Sequence, residues 1–310
     1  MRAAENTAAA DIQNSAAAVG NIKEMKKNKK KKKNKTDIKF LQFLLPGALG
    51  VAVFILIPFI DSFRRSFCTN ITQEFSGADN YKEIFGNEAF RLAIKNTLRF
   101  TGVCLPLLIG ISFIIAYLLS GLKRIQLIRS ILLFPMAIPT ATMVLIWKIL
   151  FSDHGYINGI LDLHGADTIG FLDDKAFWVL VGSYIWKNLG YTVLLWLTGI
   201  MSISSALCEA AKTDGAGEVK CLFYIIMPNL KPTLYTITII SFLNSFKVFR
   251  EAYLLAGSYP HESIYLLQHL FNNWFVNMDL GKMAAASVCV FSVIFIAVSL
   301  LKAVWDKEEN

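Results

Sequence analysis

Charged residues are scarce in this chain, and several long stretches contain none. Of its 310 residues, 17% are charged and 55% are hydrophobic, and the mean hydropathy is +0.48. This balance excludes an ordinary soluble domain, in which about 25% of residues are charged. A helix of about 17–25 apolar residues can cross the ~30 Å core of a bilayer, so each stretch is a candidate span. The charge-free stretches are residues 40–60, 100–122, 130–147, 188–208 and 283–301.

Cysteine and histidine are also rare, and their positions argue against two kinds of site. The five cysteines show no pairing pattern, so no disulfide framework is predicted. The four histidines fall between the apolar stretches without convergent spacing, so we predict positions on loop surfaces and no metal site. The cysteines are Cys68, Cys104, Cys208, Cys221 and Cys289, and the histidines are His154, His164, His261 and His269.

The sequence lacks a phosphate-binding loop of the form Gly-x-x-x-x-Gly-Lys-Ser/Thr. Its one Gly-Lys pair, Gly281-Lys282, is followed by Met283. The chain therefore cannot bind and hydrolyse ATP through such a loop. An ATP-driven role would require a motor on another chain.

A sixth candidate span covers residues 233–256 but is less uniformly apolar. It contains no charge up to Phe246 and then carries Lys247, Arg250 and Glu251. We include it because its length fits and because charges within a membrane usually face a polar pathway. The predicted fold is therefore an all-α integral membrane domain with six transmembrane helices. The predicted spans are residues 40–62, 97–120, 128–151, 176–200, 233–256 and 283–303, within a domain of residues 40–305.

The distribution of basic residues predicts the orientation of these spans. Residues 21–39 contain ten lysines and two acidic residues, a net charge of 10 − 2 = +8. Positive charge beside the first span favours a cytoplasmic N-terminus, and six spans return the C-terminus to the same side. The link between spans two and three is basic and the link between spans three and four is acidic, in agreement with this orientation. Residues 1–39 are predicted to form a disordered basic tail. Its lysines would touch anionic headgroups, with binding to nucleic acid or a specific lipid as the alternatives.

The loop between spans four and five, residues 205–232, is predicted to be a helix, a turn and a second helix. A glycine stop and a terminal proline delimit the two helical segments. In the second segment Val219, Leu222, Phe223 and Ile226 recur at helical spacing and form one apolar stripe. The stripe packs either on the chain's own membrane helices or in a groove of a partner.

This loop resembles the shared cytoplasmic signature of the permeases of binding-protein-dependent ABC importers. The matching residues are Glu-Ala-Ala at 209–211, Gly215, and the apolar run that ends at Pro228. Short matches elsewhere, such as residues 96–98, 129–135 and 186–190, extend the resemblance over residues 40–305 and bring it closest to the carbohydrate branch. After span five the family often has Thr-x-Gly-Gly-Pro, whereas this chain has Ala-Gly-Ser-Tyr-Pro at 256–260.

The resemblance implies a type I ABC importer transmembrane domain in which this loop docks on an ATPase subunit. Glu209 would pair with a basic residue of the ATPase, although it could also be a plain charge at a helix start. Gly215 would permit the turn, and the apolar stripe would hold the partner. The implied coupling residues are Glu209, Ala210, Ala211, Asp214, Gly215, Val219, Leu222, Phe223, Ile226 and Pro228.

The resemblance also locates a substrate pathway on spans four and five. Leu189, Gly190 and Tyr191 match a stretch that lines the sugar site of maltose-type permeases. The positions that look equivalent on span five are Asn244, Ser245 and Val248. Lys247 and Glu251 are four residues apart and are expected either to pair along one helix face or to contact an anionic or strongly polar substrate.

The function implied is that of a permease subunit for a sugar or oligosaccharide in a bacterial cell membrane, with no cofactor in this chain. The expected partners are a second homologous permease, two ATPase subunits that bind ATP and Mg, an extracytoplasmic solute-binding protein, the sugar and the lipid bilayer, with no nucleic acid. A permease for a phosphoester, polyamine or peptide is the main alternative. A secondary transporter would usually have internal repeats, and a membrane-embedded enzyme would need a nucleophile or metal cluster within the spans.

Overall fold

The structure is a computed structural model of the chain, and it describes residue 42 and residues 44–122 and 126–309. The predicted tail and the basic link residues Lys123 and Arg124 lie outside these residues. Within them the regular elements are all helices, with one isolated antiparallel bridge between Cys68 and Phe75.

The described chain divides into two compact units, one up to Arg64 and one from Arg65. Helix α1, Leu44–Arg65, forms the described part of the first unit apart from residue 42, and its last residue, Arg65, falls in the second unit. The helix contains a π-helical turn at Ala52–Leu56. Near its C-terminal end Arg64 forms an ion pair with Asp61 at 3.0 Å.

The second unit is built from thirteen further α-helices in the described ranges, joined in places by 3₁₀ or π turns. They are α2 Asp79–Gly86, α3 Glu88–Ser120, α4 Gln126–Ala137, α5 Thr140–Phe151, α6 Tyr156–Leu163, α7 Ala176–Ser202, α8 Ser205–Thr213, α9 Glu218–Cys221, α10 Met227–Asn229, α11 Lys231–Ser245, α12 Phe249–Ala256, α13 Leu267–Val276 and α14 Leu280–Glu309.

Three helices in the described residues are long and apolar enough to cross a membrane: Leu44–Arg65, Glu88–Ser120 and Leu280–Ala303. Two bent pairs would raise the number to five if each pair formed one span. One joins Gln126–Ala137 to Thr140–Leu163 at 89°, and the other joins Ala176–Ser202 to Ser205–Thr213 at 62°.

The predicted third span is therefore not a straight helix. Pro135 lies within α4 and Pro139 immediately precedes α5. Proline removes a backbone donor and disfavours helical geometry in the residue before it, which accounts for a break at this point.

The predicted fifth span is also divided. It consists of α11, a 3₁₀ turn at Phe246–Val248, and α12. With 15 and 8 residues, neither α-helix alone reaches the length of a straight span. The count of six spans stays a prediction.

The core of the second unit is centred on the packing of α3 against α7. Phe100 of α3 forms edge-to-face contacts with Phe177 and Tyr184 of α7, and these side chains belong to one buried cluster. Arg99 lies 4.3 Å from the centre of the Phe177 ring, so its charge is placed over an aromatic face.

Helices α4 and α7 approach each other closely at Gly190. A side chain at this buried position would overlap the backbone of Leu132 on α4. Gly190 therefore permits backbone-to-backbone contact of the kind that small residues allow between membrane helices.

Candidate functional site

Residues 205–229, here named the elbow, contain a helix, a turn and a second helical segment. The first helix is α8, and the second segment runs through α9, a π turn at Leu222–Ile226 and α10. Gly215 lies in the turn with φ +85°, a conformation that side chains other than hydrogen disfavour. The sequence-based reason for a glycine at this turn therefore agrees with its backbone geometry.

The apolar stripe of the elbow is divided between two environments. Val219 and Phe223 are 68% and 60% exposed. Ile226 instead packs against a buried cluster that includes Trp196 of α7 and Leu230, which directly follows the elbow. Leu222 is partly buried. One end of the stripe is therefore anchored to the chain's own helices, and the other end is open.

Glu209 is exposed in the middle of α8 rather than in its first turn. The alternative that it is a plain charge at a helix start is therefore wrong. Ala210 is exposed and Ala211 is partly buried, both on the same helix. Asp214 follows the last residue of α8, and Pro228 lies in the first turn of α10.

Cys208 of α8 and Cys221 of α9 lie side by side, with the two Cα atoms 6.0 Å apart. The sequence did not indicate that these two residues come together. Their separation of 13 residues gives no signal by itself, and the turn at Gly215 brings the two helices together. Cys104 and Cys289 are free thiols in the described part of the chain.

A small polar cavity of about 140 Å³ lies between α7 and the segment formed by α11, the 3₁₀ turn and α12. Four of its lining residues were predicted for the substrate pathway: Asn244, Lys247, Val248 and Glu251. The others are Met136, Tyr184, Lys187 and Asn188.

Lys247 and Glu251 were expected either to pair with each other or to contact an anionic or strongly polar substrate, and the structure tests the first of these. Glu251 forms an ion pair with Lys187 of α7, not with Lys247, so the predicted pairing along one helix face is wrong. A 3₁₀ turn has 3.0 residues per turn, so its insertion alters the i, i+4 alignment that such a pair requires. Lys187 also donates to Thr140 Oγ1 at 3.2 Å.

Lys247 Nζ donates to Asn244 Oδ1 at 2.9 Å. The Glu251 side chain is 7% exposed, and its Oε2 has no hydrogen-bond partner among the described residues. The cavity thus combines a buried, paired carboxylate with an exposed ammonium group.

The other predicted pathway residues do not line this cavity. Leu189 packs against two buried clusters, and Gly190 contacts the Leu132 backbone. Ser245 is buried and its hydroxyl lies 3.2 Å from that of Thr101 on α3. Tyr191 is partly buried on α7.

Sequence reasoning missed the contribution of Asn188 and Tyr184. Asn188 Nδ2 donates to the Tyr184 carbonyl at 2.8 Å, and the Tyr184 hydroxyl donates to the Ser241 carbonyl at 2.7 Å. The second bond joins α7 to α11 beside the cavity. Polar residues at i, i+3 and i+4 along α7, at 184, 187 and 188, are the signal that could have identified this face.

His269 is fully buried, so its predicted position on a loop surface is wrong. Its ring contacts Phe249 and Tyr265, and its Nδ1 accepts the Leu266 backbone N–H at 3.1 Å. Burial lowers the pKa of His269 to about 4, because the charged imidazolium is poorly solvated in this environment. The other three histidines are exposed.

Comparison with known proteins identifies similar permeases over most of the chain. The trehalose/maltose transport system permease protein MalF of Thermococcus litoralis is 29% identical over 260 residues, which cover 81% of this chain and 88% of that protein. The lactose transport system permease protein LacF of Rhizobium radiobacter is 27% identical over 274 residues, which cover 84% of this chain and 91% of that protein.

The fold is similar to that of a chain in the crystal structure of a bacterial ABC transporter involved in the import of the acidic polysaccharide alginate. The TM-score is 0.77 at 23% sequence identity, and the match covers 88% of this chain and 96% of the other. Residues 109–307, more than half of the sequence, match the family model described as binding-protein-dependent transport system inner membrane component. The chain belongs to this family of membrane permeases.

Proposed function

We propose that this chain is the transmembrane permease subunit of an ATP-driven, binding-protein-dependent importer of a sugar or oligosaccharide. The relatives named above support a carbohydrate substrate, because their names refer to maltose and trehalose or to lactose. The polar cavity supports it as well, since amide, carboxylate and ammonium groups can hydrogen-bond sugar hydroxyls.

The observation that carries the coupling proposal is the exposed half of the elbow stripe. Val219 and Phe223 remain open on a segment whose other end is anchored to the chain's own helices. Exposed apolar side chains grouped on one helix favour docking in a partner's groove. The partner is an ATPase subunit, because the chain has no phosphate loop of its own and the elbow carries the signature that the resemblance assigns to this contact.

In this proposal two permeases, this chain and a second homologous one, form the pathway, with two ATPase subunits beneath their elbows. Both termini and the elbow are cytoplasmic, and an extracytoplasmic binding protein delivers the sugar on the opposite side. Closure of the ATPases moves the elbows and shifts the populations of inward-open and outward-open states.

The test compares two phenylalanines of nearly equal exposure. Phe223 on the elbow is 60% exposed and Phe275 on α13 is 59% exposed. We expect Phe223→Asp to lose ATPase subunits from the purified complex, since an aspartate in an apolar groove is poorly solvated. Phe275→Asp should retain them. Equal retention in the two variants would contradict the docking role of the elbow.

The side of the membrane is tested by proteolysis of sealed vesicles. Lys212 and Lys220 are exposed on the elbow. Trypsin should cleave after them in inside-out vesicles and leave them intact in right-side-out vesicles. The reverse pattern would refute the proposed orientation.

A further inference from the structure

The cavity between α7 and the α11–α12 segment has one positive charge without a carboxylate partner in the described part of the chain. Its ionisable lining residues with a formal charge are Lys187, Lys247 and Glu251, which sum to +2 − 1 = +1. Glu251 is paired with Lys187. Lys247 has only the amide oxygen of Asn244 as a partner among the described residues.

The two lysines therefore differ in what they can offer a ligand. The Lys187 side chain is 24% exposed and its ammonium group already contacts both Glu251 and Thr140. Lys247 is exposed, and an ammonium group has three donors, of which the bond to Asn244 uses one. Lys247 is the cation that can bind an incoming anion without breaking an existing ion pair.

Glu251 provides a second observation that points to a ligand. Its side chain is 7% exposed, it lines the cavity, and its Oε2 has no hydrogen-bond partner among the described residues. Buried carboxylate oxygens normally have a donor. A hydroxyl group supplies such a donor, and a saccharide carries several hydroxyl groups.

We propose that this cavity selects anionic saccharides and that Lys247 binds a carboxylate group of the sugar. The inference rests on the proposed function and adds the charge class of its substrate. An ammonium group and a carboxylate form a charge-assisted hydrogen bond, which is stronger than a bond between neutral groups. Lys247 also lies in the 3₁₀ turn that interrupts the helical segment, and such interruptions often mark functional positions.

The experiment uses the complete importer, with its second permease, ATPase subunits and binding protein, reconstituted in proteoliposomes. ATP-dependent uptake is measured for matched pairs of uronate and neutral disaccharides, digalacturonate with galactobiose and dimannuronate with mannobiose. We expect uptake of a uronate in preference to its neutral counterpart. We expect Lys247→Gln to raise the KM for that uronate by about tenfold or more, because a hydrogen bond to a charged group is lost.

Two variants control for effects other than charge in the cavity. Lys247→Arg keeps the charge and should retain most of the uptake. Arg250→Gln removes an exposed charge three residues away that does not line the cavity, and it should leave the KM unchanged.

The outcomes separate this inference from the function on which it rests. Preferential uptake of neutral saccharides, or an unchanged KM in Lys247→Gln, would overturn the selection of anions and leave a sugar importer. Loss of the second permease from the Lys247→Gln complex would also overturn it, because Lys247 would then serve assembly. If no saccharide drives uptake or ATPase stimulation, the proposed function itself fails.

Discussion

Substitution of Gly190 tests whether this residue serves helix packing or the substrate pathway. A Cβ atom there would overlap the carbonyl group of Leu132, which is backbone and cannot rotate away. An added methyl group in a packed interior costs about 1–3 kcal/mol, and the rigid neighbour favours the upper end. Alanine regains about 1 kcal/mol of helix propensity. The net loss for Gly190→Ala is therefore about 2 kcal/mol.

Gly182 provides the control, because it lies on the same helix and a Cβ there would meet nothing within 4 Å among the residues that the structure describes. We expect Gly182→Ala to melt at or above the wild-type temperature. Gly190→Ala should melt lower by less than about 4 °C, because the shift of about 2–4 °C per kcal/mol that holds for chains of 150–250 residues falls as the chain grows. The assay is thermal unfolding of the purified complex at a fixed scan rate. A Gly190→Ala complex that melts with the wild type but loses uptake would refute the packing argument and favour the pathway.

Three further predictions concern the elbow, the pathway and pH. Glu209→Lys and Gly215→Pro should abolish uptake while the chain stays in the membrane. The first reverses the charge offered to the ATPase, and proline at 215 cannot adopt φ +85°. Normal uptake by either variant, measured in vesicles with a known amount of the chain, would contradict the coupling role. Tyr191→Ala should alter the KM for substrate without uncoupling ATP hydrolysis, and unchanged uptake kinetics would argue against its predicted position in the pathway. His269 has its pKa lowered to about 4 from an ordinary value of 6.5, so the unfolded state binds the proton more readily and stability falls as the pH drops from 6.5 to 4, by about 3 kcal/mol in total. In His269→Gln the melting temperature should depend less on pH in this window, and identical pH profiles would contradict the effect of burial.

The helices were predictable from the sequence because long apolar runs are a local property. Helices α3 and α7 extend over the predicted second and fourth spans, since hydropathy alone indicates both. The break after α4 had a local signal in Pro135 and Pro139, but their presence does not give the 89° angle between the two helices. That angle depends on what the two pieces pack against.

The polar contacts were less predictable because they join residues far apart in sequence. Lys187 and Glu251 are 64 residues apart, and the sequence offered Lys247 as a nearer partner for Glu251. His269 illustrates a different failure. Its place between spans predicts a surface position, yet its neighbours Leu267, Leu270 and Trp274 repeat at helical spacing and are buried. The spacing of these apolar residues at the helical repeat would have identified the buried face.

Helices α7 and α11 flank the elbow in sequence and also line the cavity. This arrangement bears on how ATP hydrolysis would be coupled to movement at the cavity. Helix α7 carries Lys187 at the cavity and ends at Ser202, just before the elbow. Helix α11 begins just after the elbow and leads to Asn244 at the cavity. A displacement of the elbow therefore acts on both walls of the cavity through helical backbone, with only residues 203–204 on one side and Leu230 on the other between the elbow and these helices.

The buried cluster at the base of these helices strengthens that argument. Trp196 and Leu197 of α7 pack with Leu230 and with Ile237 of α11, and Ile226 of the elbow packs on the same cluster. Packed interiors transmit displacement rather than absorb it, because they contain few voids. Closer to the cavity, the Tyr184 hydroxyl and the Ser241 carbonyl join the same two helices again. An elbow docked on an ATPase would accordingly move α7 and α11 together. The cavity would then open by movement of these two helices relative to the rest of the pathway, and not by their separation from each other.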